Sequence, residues 1–155
     1  MSDQKSTDRI EQHIQLPTPR GRVWRALTES RQFGEWFGVK FDEPFKAGAP
    51  IKGTLTIKGY EHLTMEFAID AIVPESRFSF RWHPYAIDPN VDYSMEPMTL
   101  VEFTLEAVDG GTLLKVVESG FDKIPVSRRV KAFEMNTSGW TSQMKNIAKY
   151  LAAGG

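Results

Sequence analysis

The chain contains no cysteine. That excludes a disulfide framework, a thiol nucleophile and a thiolate metal site, and nothing in the sequence calls for an oxidising compartment. An excess of either charge is also missing: 19 Lys and Arg stand against 20 Asp and Glu, for a net charge of −1. So even a balance favours neither nucleic acid nor an anionic membrane surface. The basic clusters, Arg20 to Arg25 and Arg128 to Lys131, are short and sit on predicted helices. No apolar run approaches the ~18 residues of a membrane span, and the polar N-terminus lacks a signal peptide's apolar segment. A cytoplasmic protein is expected. Catalytic signatures are lacking too, with no Gly-rich phosphate loop, no zinc-protease helix and no nucleophile elbow. His83 lies near several acids, but the spacing matches no ligand motif, and His13 and His62 read as surface residues. No catalytic residue, metal or cofactor is therefore expected.

What is present is alternation. The 155 residues, 41% of them apolar, suit one core, and we expect a flexible tail over 1–8 followed by a single domain over 9–155. From Arg9 to Leu16, Ile10, Ile14 and Leu16 alternate with polar residues, with Gln12 an exception on the apolar face. Pro17 and Pro19 end that strand. Two short helices are predicted next, the first burying Val23, Trp24, Ala26 and Leu27, the second capped by Thr28 and ended by Gly38. Six strands follow, starting with Val39–Phe45. Met65, Phe67, Ile69, Ala71 and Val73 share one face of the third of these, and Phe78, Phe80 and Trp82 one face of the next. Asp109-Gly110-Gly111 is the sharpest hairpin signal. Connections of hairpin length make the six an antiparallel meander. Between them, 83–98 is the longest segment without a period.

The chain closes on a predicted helix from Pro125 onward. Val126, Val130, Phe133, Thr137, Trp140, Met144, Ile147 and Leu151 recur at steps of three and four, one apolar stripe over roughly seven turns. A stripe of that length must be buried, and the strands before it supply the partner.

Several stretches carry a family resemblance: Val23 to Thr28 with Glu35-Trp36-Phe37, Phe45-Lys46-Ala47-Gly48, and Phe78 to Trp82. Gly111-Thr112, Glu118-Ser119-Gly120-Phe121, and Asn136 with Gly139-Trp140 continue the order. Together they resemble the Hsp90-ATPase-activator-homologue (AHSA1-like) family of the START/Bet v 1 (SRPBCC) superfamily, over nearly the whole chain. The resemblance implies an α+β helix-grip fold: a seven-stranded antiparallel sheet wrapped around the long C-terminal helix, with two short helices after strand 1 and a hydrophobic cavity between sheet and helix. A shared fold does not choose a function. The expected one is binding of a small hydrophobic or amphipathic ligand, by a monomer or homodimer. The rivals are a chaperone-activator-like protein-interaction module and, less favoured, a cavity enzyme of the cyclase or hydratase type.

The expected ligand wall is Phe67, Phe80, Trp82 and Phe103 from the sheet with Phe133, Thr137, Trp140 and Met144 from the helix. The same residues in the same pattern can equally fill a solid core. Glu118 and Tyr85 would supply polar recognition. The family pattern turns Thr112, Leu114, Val116 and Glu118 inward, though Lys115 and its apolar neighbours leave the phase of that strand open. Trp36, Phe37 and Tyr93 are placed at the cavity entrance. Under the protein-interaction reading, Trp36 and Phe37 are instead exposed.

Overall fold

The computed structural model describes residues 8–88 and 90–154. Most of the expected tail therefore lies outside the described residues. Asp8 does not behave as tail: its carbonyl accepts hydrogen bonds from Gly120 and Phe121, and its side chain accepts one from the Asp122 amide.

Seven strands form one antiparallel sheet: β1 (Arg9–Leu16), β2 (Val39–Phe41), β3 (Pro50–Leu55), β4 (Thr64–Val73), β5 (Arg77–Trp82), β6 (Thr99–Val108) and β7 (Gly111–Ser119). Their spatial order is β1-β7-β6-β5-β4-β3-β2. The hairpin connections lay β2 to β7 down in sequence order, and β1 then pairs with β7, closing the far edge. Two helices, α1 (Arg20–Thr28) and α2 (Ser30–Phe37), carry the chain from one edge of the sheet to the other. The 27-residue helix α3 (Val126–Ala152) packs against β1 and α2. This is the helix-grip arrangement.

Local chemistry accounts for the departures from the sequence reading. β2 stops at Phe41, where Asp42, Glu43 and Pro44 follow and Pro44 has no amide to donate. Thr28 does not cap α2; its hydroxyl donates back to the Trp24 carbonyl in the last turn of α1. A register irregularity between Ile69 and Ala71 switches the phase of β4. Beyond it Ile72 packs on the core opposite Phe78, while Val73 is exposed opposite Arg77. Gln12 proves useful rather than exceptional. Its amide donates to the Thr137 carbonyl and its oxygen accepts from Thr141, tying β1 to α3.

The stripe on α3 is buried only from its second third onward. Val126 and Val130 are 76% and 68% exposed, because the first turns run beyond the core. Polar bonds hold that end instead: the Arg129 guanidinium donates to the carbonyls of Ile124 and Asp122.

The interior is filled with rings. Phe67 and Phe80 stack with centroids 4.1 Å apart. Phe33 of α2 stands edge-on to both and to Phe78 and Phe103. Phe33 can sit this deep because α2 approaches β2 closely at Gly34. A Cβ at that position would overlap the Val39 carbonyl oxygen. Gly34→Ala is expected to lower the unfolding free energy by about 1–3 kcal/mol, despite the better helix propensity of alanine. Urea denaturation checks it, and an unchanged midpoint would show that α2 can shift away at no cost.

Candidate functional site

The most conspicuous polar feature of the interior is Glu118, which is wholly buried. β7 alternates strictly, so Thr112, Leu114, Val116 and Glu118 all point inward. Glu118 pairs across the sheet with Ile10 on one side and Val101 on the other, one residue from the end of β7, yet it is closed off from water. A carboxylate in such a place needs donors. From the sheet come the Trp82 indole at 2.7 Å and the Thr99 hydroxyl at 2.6 Å, both to Oε2. These two donors are themselves cross-strand partners. From α3 come the Trp140 indole at 2.8 Å and the Asn136 amide at 2.9 Å, both to Oε1. Asn136 and Trp140 are four residues apart, so one face of the helix presents both. The indoles can only donate and one bonds each oxygen, so both carboxylate oxygens act as acceptors. No cation takes part in these bonds.

A groove of about 500 Å³ lies beside this network. One wall comes from β3, β4 and the turn between them, with Leu55, Leu63 and Met65 as its apolar part and Lys52 and Glu66 at its polar part. A second comes from the segment after β5, with His83, Tyr85, Ile87 and Tyr93. Phe37 and Trp82 form the aromatic end, and Asn136, Gly139 and Gln143 of α3 complete the lining. A smaller recess of about 120 Å³ continues past Gly139 to Trp140. Glu118 itself does not line either space. It sits behind the wall and holds Trp82, Asn136 and Trp140 in place.

The residues predicted as a ligand wall are thus divided. Trp82 and Tyr85 line the groove, and Trp140 borders the recess. Phe67, Phe80 and Phe103 are fully buried core, and Met144 is core as well. The reason is Phe33, which fills the space between sheet and helix that would otherwise have made them cavity walls. Phe133 packs edge-on to Phe121, and Thr137 turns towards β1, its hydroxyl bonded to the Phe133 carbonyl. Of the expected entrance, Phe37 and Tyr93 line the groove. Trp36 is buried, with its indole bonded to the Ala26 carbonyl at 2.8 Å. Trp36 and Phe37 therefore form no exposed surface. Sequence reasoning did not assign Lys52, Leu55, Leu63, Met65, Glu66, Gly139 or Gln143. Gly139, in the middle of a long helix, was the one visible signal.

The segment after β5 is fastened to α3 through Arg128. Arg128 pairs with Glu96 at 2.6 Å, donates to the carbonyls of Pro84 and Tyr85, and lies over the Tyr93 ring at 4.7 Å. Both partners of the ion pair are largely buried, so solvent screens it little. Tyr85 has a positive φ of 51°, a conformation that costs a non-glycine residue on the order of 1 kcal/mol. The Arg128 bond to its carbonyl helps to hold it there.

His83 is a titrating group of the groove. Burial pushes its pKa below the ordinary value of 6.5, the nearby Glu96, Glu66 and Asp92 partly oppose this, and Arg128 adds to it. Among the described residues, no three His, Asp or Glu side chains come together as a metal cluster. No helix among them is long and apolar enough to cross a membrane.

Comparison with known proteins adds the following. Residues 17–152 match the family model described as activator of Hsp90 ATPase homolog 1-like protein. No curated protein matches the sequence. Among solved structures, MLL2253 from Mesorhizobium loti is 23% identical with a TM-score of 0.74, over 94% of this chain and 97% of that one. DynU16, from the dynemicin biosynthetic locus, is 24% identical with a TM-score of 0.72, over 95% of this chain but 48% of its own, so this chain spans about half its length. The Aha1 dimer from Colwellia psychrerythraea is 16% identical with a TM-score of 0.67, over 90% and 92%. At these identities the likeness is one of fold.

Two outcomes are expected of the site. Glu118→Gln turns an amide N–H towards the Trp82 or the Trp140 indole, each of which can only donate, and should lower the unfolding free energy by about 2–4 kcal/mol. A urea midpoint equal to that of the parent would refute the carboxylate's role in joining helix to sheet. His83 should also leave a mark on the pH dependence. Its folded pKa lies below the unfolded 6.5, so the unfolded chain takes up the proton first and stability falls as pH drops below about 6.5. His83→Phe should flatten that part of the stability profile. An identical slope in the variant would assign it to other groups.

Proposed function

This chain belongs to the activator of Hsp90 ATPase homolog 1-like family, and from that premise we propose that it binds a small hydrophobic or amphipathic molecule in the groove between β3–β4, the 83–98 segment and α3. The observation that carries the reading is Gly139. A glycine in a helix interior costs about 1 kcal/mol relative to alanine. It is usually tolerated where a side chain would collide, as at Gly34. Gly139 lines the groove at an exposed position, and a Cβ there would meet nothing within 4 Å. Helix stability is lost there and no packing is gained, which is sensible if the space itself is used. The volume suits the reading, since small-molecule sites run from roughly 300 to 1,000 Å³. So does the lining, apolar for the most part with a few polar groups.

Acid–base chemistry by Glu118, the version of the enzyme reading raised from the sequence, finds little support. The carboxylate lies behind the groove wall under four donors, and a ligand would have to displace one of them to reach it. The protein-interaction reading retains one specific observation. Val126 and Val130 on α3 and Met95 on the neighbouring segment are exposed apolar side chains. That face, rather than Trp36 and Phe37, would serve contact with a chaperone, another protein or a second copy. A dimer is known for the structurally similar Colwellia protein.

Native mass spectrometry of the protein purified from its own host, with Gly139 variants, tests the groove. Gly139→Ala should be about 0.5–1 kcal/mol more stable than the parent and carry less of the added small-molecule mass. Gly139→Phe should fold and lose the mass. Retention of the mass in a folded Gly139→Phe protein would place the ligand elsewhere. Apo protein throughout, with a protein partner co-purifying, would favour the interaction reading.

A further inference from the structure

Most hydrogen-bond donors on the inner wall of the groove are already engaged within the protein. The Trp82 indole and the Asn136 amide serve Glu118, and the Gln143 amide donates to the Phe37 carbonyl at 2.9 Å. His83 is different. Its Nδ1 is buried and, among the described residues, meets no hydrogen-bond partner. A buried N–H without an acceptor is costlier and rarer than a bare acceptor, so the ring proton belongs on Nε2. The ring lines the groove and buries Nδ1, so Nε2–H is the donor it has left to offer a ligand.

The charges around the ring limit what can approach it. Glu66 on β4 and Asp92 and Glu96 on the segment after β5 act on it electrostatically in one sense and Arg128 of α3, which is already paired with Glu96, in the other. Lys52, on the groove wall, stands opposite Glu66 in the β3–β4 register. The field at the ring is therefore negative on balance. It disfavours an anionic head group there.

We propose that His83 is the specificity-determining donor of the groove, and that the ligand is an uncharged, largely apolar molecule whose carbonyl or ether oxygen accepts the Nε2 hydrogen bond. This rests on the groove being the ligand site. The aromatic lining of Phe37, Trp82, Tyr85 and Tyr93 suits a flat ring system as the apolar body. A ligand seated there covers the ring from water and so keeps the imidazole in its neutral form.

Three naphthalenes of similar size provide the test: acetylnaphthalene, an uncharged ketone; isopropenylnaphthalene, the same shape with a methylene in place of the oxygen; and naphthoate, which is anionic. Burial alone would favour the hydrocarbon. The ketone is expected to bind about tenfold more tightly than the hydrocarbon, the order of one hydrogen bond to a desolvated donor, and naphthoate more weakly than the ketone. His83→Phe, which keeps a ring and removes the donor, should reverse the order of ketone and hydrocarbon. In histidine-labelled parent protein, the His83 Nε2 resonance should move with the ketone and stay with the hydrocarbon. That readout does not depend on the variant folding. Ketone and hydrocarbon bound alike, a ketone preference that survives His83→Phe, or naphthoate bound tightest would each overturn the assignment to His83. The groove itself is tested separately by Gly139→Phe. Hydrocarbon binding that this variant abolishes keeps the groove while the His83 assignment stands or falls on the ketone. Binding that the variant leaves intact, or none by any probe, removes both.

Discussion

A carboxylate held by four neutral donors joins the sheet to the long helix. Glu118 draws two donors from the sheet and two from α3, and all four reach it at hydrogen-bonding distance. A buried anion cannot be left partly satisfied, so the four donors must arrive together. That fixes the rotation of α3, because only one face of the helix carries both Asn136 and Trp140. It also fixes the Trp82 and Trp140 rings, whose indole nitrogens are committed inward. The wall they form beside the groove is a consequence of where the carboxylate sits. An apolar residue at position 118 would let the helix slide; the carboxylate gives the interface a single register.

The aromatic core does a second job. Phe33 is carried in by α2 and occupies the region between sheet and long helix, so Phe67, Phe80 and Phe103 become core rather than cavity wall. The space that remains is displaced towards β3, β4 and the segment after β5. Two helical glycines show the difference between a packed and an open surface. Gly34 exists because the Val39 carbonyl leaves no room for a Cβ, whereas at Gly139 a Cβ would meet nothing within 4 Å. Identical residues on identical secondary structure thus have opposite physical reasons.

The outer wall of the groove depends on Arg128. It is the side chain of α3 that meets the 83–98 segment through an ion pair, two carbonyls and a ring. The first turns of α3 have little apolar burial of their own, as the exposure of Val126 and Val130 shows. The helix end and the segment after β5 therefore hold each other, through polar contacts, over an opening lined by both.

Period and punctuation determined a great deal. The strand–helix–helix–six strands–helix order, the antiparallel meander and the long closing helix all follow from alternation, hairpin glycines and a 3.6-residue stripe, since these record which face of each element must leave water. The inward phase of Glu118 was raised as well, from the family pattern. What tertiary structure decided was occupancy. Whether Phe80 walls a cavity or fills a core depends on whether Phe33, some fifty residues earlier, reaches it, and no local pattern encodes that distance. The exposure of Val126 and Val130 likewise depends on where the sheet ends beneath the helix. The network at Glu118 needs Trp82, Thr99, Asn136 and Trp140, drawn from three elements besides its own, and the pairing of Arg128 with Glu96 joins residues that no period relates. Sequence periodicity reports burial of a face. Only the assembled fold reports what that face is buried against.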